Sequence, residues 1–117
     1  MYMPAFNLPS VLSNADARRA LDWEFFREGV QVSWIYRLEA KNAPSSAFLK
    51  YAPGAKVPLH SHPGLEHILI LEGSQTDENG TFYEGDIVIN PPGTRHSIYS
   101  QDGCVALAIW QAPVKFE

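Results

Sequence analysis

Three histidines and one glutamate stand at spacings that would let them bind a single metal ion. His60 and His62 are two residues apart, Glu66 follows four residues later, and His96 lies in a separate segment. On a β-strand, residues i and i+2 project from the same face with Cα atoms ~7 Å apart. Two imidazoles on such a face can converge on one ion at ~2.1 Å each. We therefore predict a site for one divalent ion, Fe(II), Zn(II), Mn(II) or Ni(II), held by His60, His62, Glu66 and His96.

Two proline-glycine turns are needed to bring these four side chains together. On a straight strand Glu66 would lie ~13 Å beyond His62, which is too far for both to bind one ion. The Pro-Gly pair at 63–64 predicts a turn that folds the chain back, so that Glu66 would face the histidines from the neighbouring strand. His96 follows the Pro-Pro-Gly turn at 91–93 and would come from a separate hairpin.

His67 and Arg95 are close to the predicted ligands in sequence, but we do not expect either to face the metal. Neighbouring residues on a strand point to opposite faces, so His67 should point away from the side that carries Glu66. If His67 were a ligand, Glu66 could not bind the ion from the same strand without a bulge. Arg95 adjoins His96 and is set aside on the same ground.

The elements that must position these residues are mostly short strands. Apolar and polar residues alternate over 30–38 and 47–51, and apolar runs occupy 68–71, 87–89 and 105–110. Many short strands between Gly/Pro turns are typical of an all-β sandwich or barrel. We favour a barrel because an immunoglobulin-like sandwich would be expected to have two cysteines flanking a tryptophan.

Two local signals refine this picture. Residues 13–22 contain the only predicted helix, with Ser13 or Asn14 as its N-cap and Asp16 in its first turn. The pair at 79–80, Asn-Gly, predicts a hairpin with a type I′ turn, because both residues tolerate positive φ.

Composition excludes several classes of function. The 117 residues suit one domain over 1–117, with a barrel core at about 30–112. Nine Lys and Arg against 13 Asp and Glu, without a basic cluster, argue against a nucleic-acid partner. No stretch reaches the ~20 apolar residues of a membrane helix, so no membrane association is expected. Residues 1–6 lack the features of a signal peptide, which makes the cytoplasm the expected location. The single cysteine, Cys104, is expected to be a buried small hydrophobe.

The two histidine-containing segments resemble the two sequence motifs of the cupin superfamily. Residues 54–73 match G-x5-H-x-H-x3-E-x6-G, and residues 85–100 match G-x5-P-x-G-x2-H-x3-N except that Ser100 replaces the final Asn. That Asn is not generally a ligand in cupins, so the difference leaves the metal prediction intact. The resemblance implies a cupin-type double-stranded β-helix, or jelly-roll barrel, after a short N-terminal helix or irregular segment.

A narrower resemblance concerns residues 71–80, 90–93 and 103–104. They are similar to the cupin domain of ChrR-type anti-sigma factors and to small acetylacetone or dihydroxyacetophenone dioxygenases. ChrR-type proteins bind their sigma factor through a separate amino-terminal zinc domain. This chain has no room for that domain, which weakens the expectation of a sigma-factor role.

The resemblance implies a non-haem, metal-dependent dioxygenase that acts on a small oxygenated molecule such as a β-diketone. An octahedral ion bound by four protein groups would keep two positions for substrate or dioxygen, whereas four-coordinate zinc would be closed. Alternatives are therefore a non-catalytic zinc-binding module that senses a ligand or regulates a partner, and a metal-dependent isomerase or epimerase. The candidates for the walls of a ligand pocket are aromatic: Trp34, Tyr36, Phe48, Tyr51, Tyr99 and Trp110.

The aromatic-rich segment 23–26 precedes the predicted barrel. It suits either the interface of a homodimer or the closure of one end of the barrel, and the sequence does not decide between them.

Overall fold

The computed structural model describes residues 3–117 and confirms an all-β jelly-roll barrel with a short N-terminal helix. Within that range the chain forms one helix and ten strands, namely α1 (Ala15–Arg19), β1 (Glu24–Arg27), β2 (Val30–Arg37), β3 (Ser45–Tyr51), β4 (Ala55–Ser61), β5 (Glu66–Asp77), β6 (Gly80–Tyr83), β7 (Ile87–Asn90), β8 (Arg95–Ser100), β9 (Cys104–Trp110) and β10 (Lys115–Phe116). The strands form a curled sheet in the order β1-β2-β3-β9-β5-β8-β4-β10, with β6 and β7 each paired to β5. No helix among these residues is long and apolar enough to cross a membrane. Met1 and Tyr2, which begin the segment used to predict the location, lie outside the described residues.

Strand β5 connects the two halves of the barrel. Its first part pairs with β9 and β7, and its last part pairs with β6 and, at Thr76, with β8. The register with β9 shifts between Ile70 and Glu72, which marks a bulge in β5. Gly73 follows this bulge with a φ of +71°, and a Cβ there would lie 2.0 Å from the Gly103 carbonyl oxygen. The backbones of β5 and β9 therefore approach too closely here for any residue except glycine.

Helix α1 is shorter than the segment predicted to contain it, and tertiary contacts hold it in place. Asn14, one of the two candidates, is the N-cap, and its side chain accepts hydrogen bonds from two backbone N–H groups of the first turn. A single turn is not stable by itself in water. The buried Arg18 side chain fixes the helix by donating to the Val11 carbonyl at 2.9 Å and pairing with Glu72 of β5 at 3.0 Å.

The alternation predicted over 30–38 holds only for its first part. Val30 and Val32 are buried in the core, and Trp34 packs against it. The register between β2 and β3 then shifts between Trp34 and Tyr36, and Leu38 is 40% exposed. The bulge reverses the order of inward and outward residues, which a strict period of two does not anticipate.

The hairpin predicted at Asn79-Gly80 exists, but the prediction of a type I′ turn is wrong. Asp77 pairs with Gly80 across β5 and β6, so the two turn residues are Glu78 and Asn79. Among the described residues, Ser10 and Asn42 are the only non-glycine residues with positive φ, so Asn79 does not have it. The Asp77 carboxylate accepts a hydrogen bond from the Asn79 N–H at 2.7 Å and stabilises the turn instead.

Cys104 is buried in the core, as predicted. Burial raises the pKa of its thiol to about 12, and the negative charge of Glu72 contributes to the same shift. The thiolate is the nucleophilic form of cysteine, so this side chain is chemically inert at neutral pH.

Replacing Gly73 with Ala should destabilise the protein more than replacing Gly54. Both glycines have positive φ, but a Cβ at Gly54 would meet nothing within 4 Å. The strained φ alone should reduce the free energy of unfolding by about 1–2 kcal/mol in each variant, and the steric clash should remove a further ~1–3 kcal/mol in Gly73→Ala. Urea unfolding followed by tryptophan fluorescence measures both. Equal midpoints would show that β5 and β9 can separate without loss.

Candidate metal centre

The side chains of His60, His62 and His96 converge in the interior of the barrel. One ring nitrogen of each lies within 4.8 Å of the ring nitrogens of the other two. Each residue is at most 3% exposed. Three histidines are therefore positioned to bind one metal ion.

The backbone places these histidines through two adjacent strands and one turn. His60 on β4 and His96 on β8 are direct partners in the antiparallel pairing. His62 lies just beyond the end of β4, where its N–H donates to the Thr94 carbonyl at 2.9 Å. The Gly93 N–H donates to the His62 carbonyl at 2.8 Å. The turn that precedes His96 is thus bonded directly to the His-x-His segment, so the two motifs hold each other in position.

Each of the three imidazoles has an acceptor at its Nδ1 atom. The acceptors are the Pro58 carbonyl for His60 at 2.9 Å, Thr94 Oγ1 for His62 at 3.0 Å, and Asp77 Oδ2 for His96 at 2.9 Å. The Thr94 hydroxyl itself donates to the Pro91 carbonyl at 2.6 Å, so it accepts from His62. A proton on Nδ1 leaves the lone pair of Nε2 free to face the interior, which is the arrangement seen in histidine ligands of metals.

The Nε2 atoms of His62 and His96 are buried and have no hydrogen-bond partner among the described residues. A buried polar atom without a partner costs about 1–3 kcal/mol, so such atoms are uncommon unless a ligand uses them. Burial lowers the pKa of His60, and the charges of His96 and His62 lower it further against the opposing effects of the Pro58 carbonyl and Glu66. The neutral imidazole, which is the form that binds metals, is therefore favoured. The donor set fits a divalent ion.

Glu66 begins β5 with its carboxylate against two of the histidines. Its Oε1 atom lies 3.0 Å from Nε2 of His62 and 3.8 Å from Nε2 of His96. The shorter contact lacks the alignment of a hydrogen bond, so it is a close approach of a carboxylate to a ring nitrogen. Burial raises the pKa of Glu66, but His62, the Trp110 indole and His96 together lower it below its usual value. The carboxylate is therefore ionised.

Two side chains on neighbouring strands hold the Glu66 carboxylate in place. Asn90 Nδ2 donates to Oε1 at 2.9 Å, and Trp110 Nε1 donates to Oε2 at 2.6 Å. Asn90 on β7 and Trp110 on β9 are also the backbone pairing partners of Glu66. The three side chains share the inward face, so the sheet itself brings both donors to the carboxylate.

The expected position of Glu66 on a strand next to β4 is wrong. Strand β8 lies between β4 and β5 in the sheet order, so the turn at 63–64 carries the chain past β8 to a strand that is not adjacent to β4. Glu66 thus approaches His62 from across the barrel and not from the adjacent strand. Sequence spacing could show that the chain must turn, but strand order depends on pairings between distant segments.

His67 and Arg95 lie outside the cluster, as predicted. His67 pairs with Ile89 and Ile109, on the opposite face of β5 from Glu66. Arg95 forms an ion pair with Glu117 at 2.9 Å.

Sequence reasoning missed the residues that orient the ligands. Asp77, Asn90 and Thr94 were not predicted to have a functional role. Asp and Asn are common in turns for other reasons, so the sequence carries no signal that separates these roles.

A cavity of about 260 Å³ adjoins the metal centre, and two of its lining side chains contact the centre directly. Trp110 donates to Glu66, and the ring of Phe116 lies 5.4 Å from that of His60, centre to centre. Neither the three histidines nor Glu66 line the cavity itself. Its lining consists of Phe26, Trp34, Arg37, Leu38, Ala40, Ala43, Ser45, Trp110, Pro113, Val114 and Phe116.

Two of the six aromatic residues proposed as pocket walls, Trp34 and Trp110, line this cavity. Tyr51 is in the core, and Tyr99 lines a groove on another part of the surface. Tyr36 and Phe48 lie with residues 3–8 of the N-terminal segment.

Comparisons with known proteins agree with this fold. The sequence profile described as a ChrR cupin-like domain matches residues 15–114. The anti-sigma-E factor ChrR of Cereibacter sphaeroides is 33% identical over 113 residues, which cover 92% of this chain and 51% of ChrR. The chain therefore spans about half the length of that curated relative.

Two solved structures are similar in three dimensions. One is Rhodobacter sphaeroides SigE in complex with the anti-sigma ChrR, with a TM-score of 0.69 and 28% identity over 79% of this chain and 49% of that chain. The other is an acetylacetone dioxygenase from Acinetobacter johnsonii, with a TM-score of 0.73 and 15% identity over 80% of this chain and 70% of that chain. The second likeness concerns the fold alone.

Replacing His60 or His96 with Ala should abolish stoichiometric metal binding, because each removes one of three converging nitrogens. Replacing His67 with Ala is the matched control and should leave the stoichiometry unchanged. Elemental analysis after dialysis against one equivalent of zinc measures the bound metal. Full occupancy in His96→Ala would show that the ion binds elsewhere.

Proposed function

Because the chain belongs to the family of ChrR cupin-like domains, we propose that it is a metal-binding regulatory domain in which His60, His62, His96 and Glu66 hold one divalent ion. The observation that carries this proposal is the pair of buried Nε2 atoms without partners, on His62 and His96, facing an ionised carboxylate. A bound ion would supply the positive charge that compensates this carboxylate, together with Lewis acidity.

The number of protein ligands favours zinc. Three neutral imidazoles and one carboxylate complete a tetrahedral zinc site, and such closed sites are structural or regulatory. Asn90 and Trp110 fix the carboxylate before any ion binds, which limits the reorganisation that binding requires. Fe(II), Mn(II) and Ni(II) would keep open positions with the same ligands.

The surroundings of the site support regulation over catalysis. Trp110 and Phe116 lie between the cavity and the ligand side chains, so a molecule in the cavity meets these two residues first. An anti-sigma factor is 33% identical over 92% of this chain, whereas the dioxygenase from Acinetobacter johnsonii shares 15% identity. We therefore place the regulatory alternative ahead of the dioxygenase that the sequence favoured.

A route from the metal centre to the surface runs through the C-terminal strand. The ring of Phe116 on β10 packs on that of His60, and the two residues are backbone partners in the pairing of β10 with β4. The guanidinium of Arg27 lies 4.6 Å from the centre of the Phe116 ring, and Glu117 pairs with Arg95. Metal binding at His60 would stabilise this strand, and a partner protein in contact with β10 would sense that change. The homodimer predicted from the sequence stays a prediction.

A dioxygenase acting on a β-diketone is the second candidate. The aromatic cavity beside the centre favours it, since small apolar substrates bind in such cavities. Turnover would require Phe116 or Trp110 to move so that the substrate could reach the metal centre. The isomerase or epimerase alternative stays a prediction.

Anaerobic purification followed by metal analysis and oxygen-uptake measurements with acetylacetone separates the two candidates. We expect about one zinc per chain and no uptake above that of His96→Ala. Hydrogen exchange should show that zinc slows exchange in β10 and in the turn at 91–94, and not in helix α1, which is anchored to Glu72 and has no residue at the centre. Iron in the purified protein with sustained oxygen uptake would overturn the regulatory proposal.

Replacing Glu66 with Gln tests whether the carboxylate is a ligand. The change keeps the shape of the side chain but removes its charge, so zinc affinity should fall by at least ~100-fold, at or beyond the upper end of what loss of a supporting residue causes. Glu84→Gln is the control, because Glu84 is exposed, follows β6 and lies outside the histidine cluster. Competition with a chromogenic chelator measures both affinities. Equal affinities would remove Glu66 from the ligand set.

A further inference from the structure

The cavity beside the metal centre combines aromatic walls with a single charged side chain. Trp34 and Trp110 form one wall, with ring centres 6.2 Å apart and planes tilted by 53°. Phe26 contacts Trp34 edge to face, with ring centres 6.5 Å apart. Among the described residues of the lining, Arg37 is the one that carries a charge.

Arg37 is available to bind an anion. Its guanidinium carbon lies 4.3 Å from the centre of the Trp34 ring, so the indole holds the cation at the cavity wall. Arg37 takes part in none of the ion pairs among the described residues. A guanidinium has five donors in a plane and binds a carboxylate through two parallel hydrogen bonds. The cavity therefore has a fixed cationic group that its own residues do not neutralise.

The size and lining of the cavity restrict what can bind. Its volume of about 260 Å³ lies just below the ~300–1,000 Å³ typical of drug-sized ligands. Flat aromatic walls favour a planar ring, which can stack or pack edge to face. We propose that the cavity binds a small planar organic anion, a carboxylate on an aromatic or conjugated system, with its ring against Trp34 and Trp110 and its anionic group on Arg37.

Such a ligand would contact the two side chains that connect the cavity to the metal centre. Trp110 donates to Glu66, and Phe116 packs on His60. The role of this ligand as a signal to the metal centre rests on the regulatory function proposed above. Binding itself depends on Arg37 and the aromatic walls, so the two proposals can fail separately.

Benzoate and its neutral analogue benzamide test the proposal, because they share a planar ring and differ in charge. Titrations of the zinc-loaded protein, followed by calorimetry and by ligand-detected NMR, give both dissociation constants. We expect benzoate to bind at least 10-fold more tightly than benzamide. Arg37→Gln should reduce this preference to less than 3-fold, whereas Arg19→Gln, which changes an exposed side chain of α1, should leave it unchanged.

A second titration, after removal of zinc with a chelator, shows whether the anion binds Arg37 or the metal. The preference for benzoate should persist in the wild-type protein without zinc. If the preference for benzoate is lost when zinc is removed but persists in zinc-loaded Arg37→Gln, the anion binds the metal and the proposal is overturned. Equal binding of benzoate and benzamide, or no binding of benzoate at 10 mM, also overturns it. Neither result bears on zinc stoichiometry, which tests the proposed function.

Discussion

The barrel interior contains an ionised carboxylate and three imidazoles where an ordinary small β-barrel has only apolar side chains. A buried charge is strongly unfavourable unless it is paired and hydrogen-bonded. Asn90 and Trp110 each donate a hydrogen bond to the Glu66 carboxylate. The Nε2 atoms of His62 and His96 face the same carboxylate and have no hydrogen-bond partner among the described residues. The strands and turns of the barrel fix each polar group of this cluster through a hydrogen bond. A divalent ion is the simplest species that neutralises the carboxylate and occupies the nitrogens together.

Orientation of the ligands is distributed over the molecule. The Nδ1 acceptors are a strand carbonyl for His60, a turn hydroxyl for His62 and a carboxylate at the far end of β5 for His96. Loss of any one would free one ring to rotate while the others stayed fixed. Partial damage to the fold should therefore weaken metal binding in steps before the barrel itself unfolds. The C-terminal strand extends this coupling outward, since Phe116 covers His60 on the side of the aromatic cavity.

The sequence was sufficient for the fold and for the histidines because both depend on local patterns. Alternation, Gly/Pro turns and the spacing of His60, His62 and His96 are readable over a few residues. Strand order cannot be predicted from local patterns. The position of Glu66 across the barrel from His62 results from the pairing of β5 with β9 and β7, which are distant in sequence. The bulge after Trp34 ended an alternation that looked regular, since nothing in the residue types marks it. Asp77, Thr94 and Asn90 acquired their roles only through contacts between distant segments.

The bulge in β5 between Ile70 and Glu72 has a consequence for how this strand can vary. Glu66 and Asp77 both point inward, toward His62 and His96, yet they are eleven positions apart, an odd number. In a regular strand an odd separation places two side chains on opposite faces. The bulge contains one extra residue, so the alternation along β5 proceeds as if the two residues were ten positions apart. Both side chains therefore lie on the inner face. An insertion or deletion of one residue between these two positions would send either the carboxylate of the centre or the partner of His96 to the outside. The length of β5 is thus as constrained as the identity of its end residues. A change of two residues would keep both side chains on the inner face but would move one of them ~7 Å along the strand, beyond the reach of its partner.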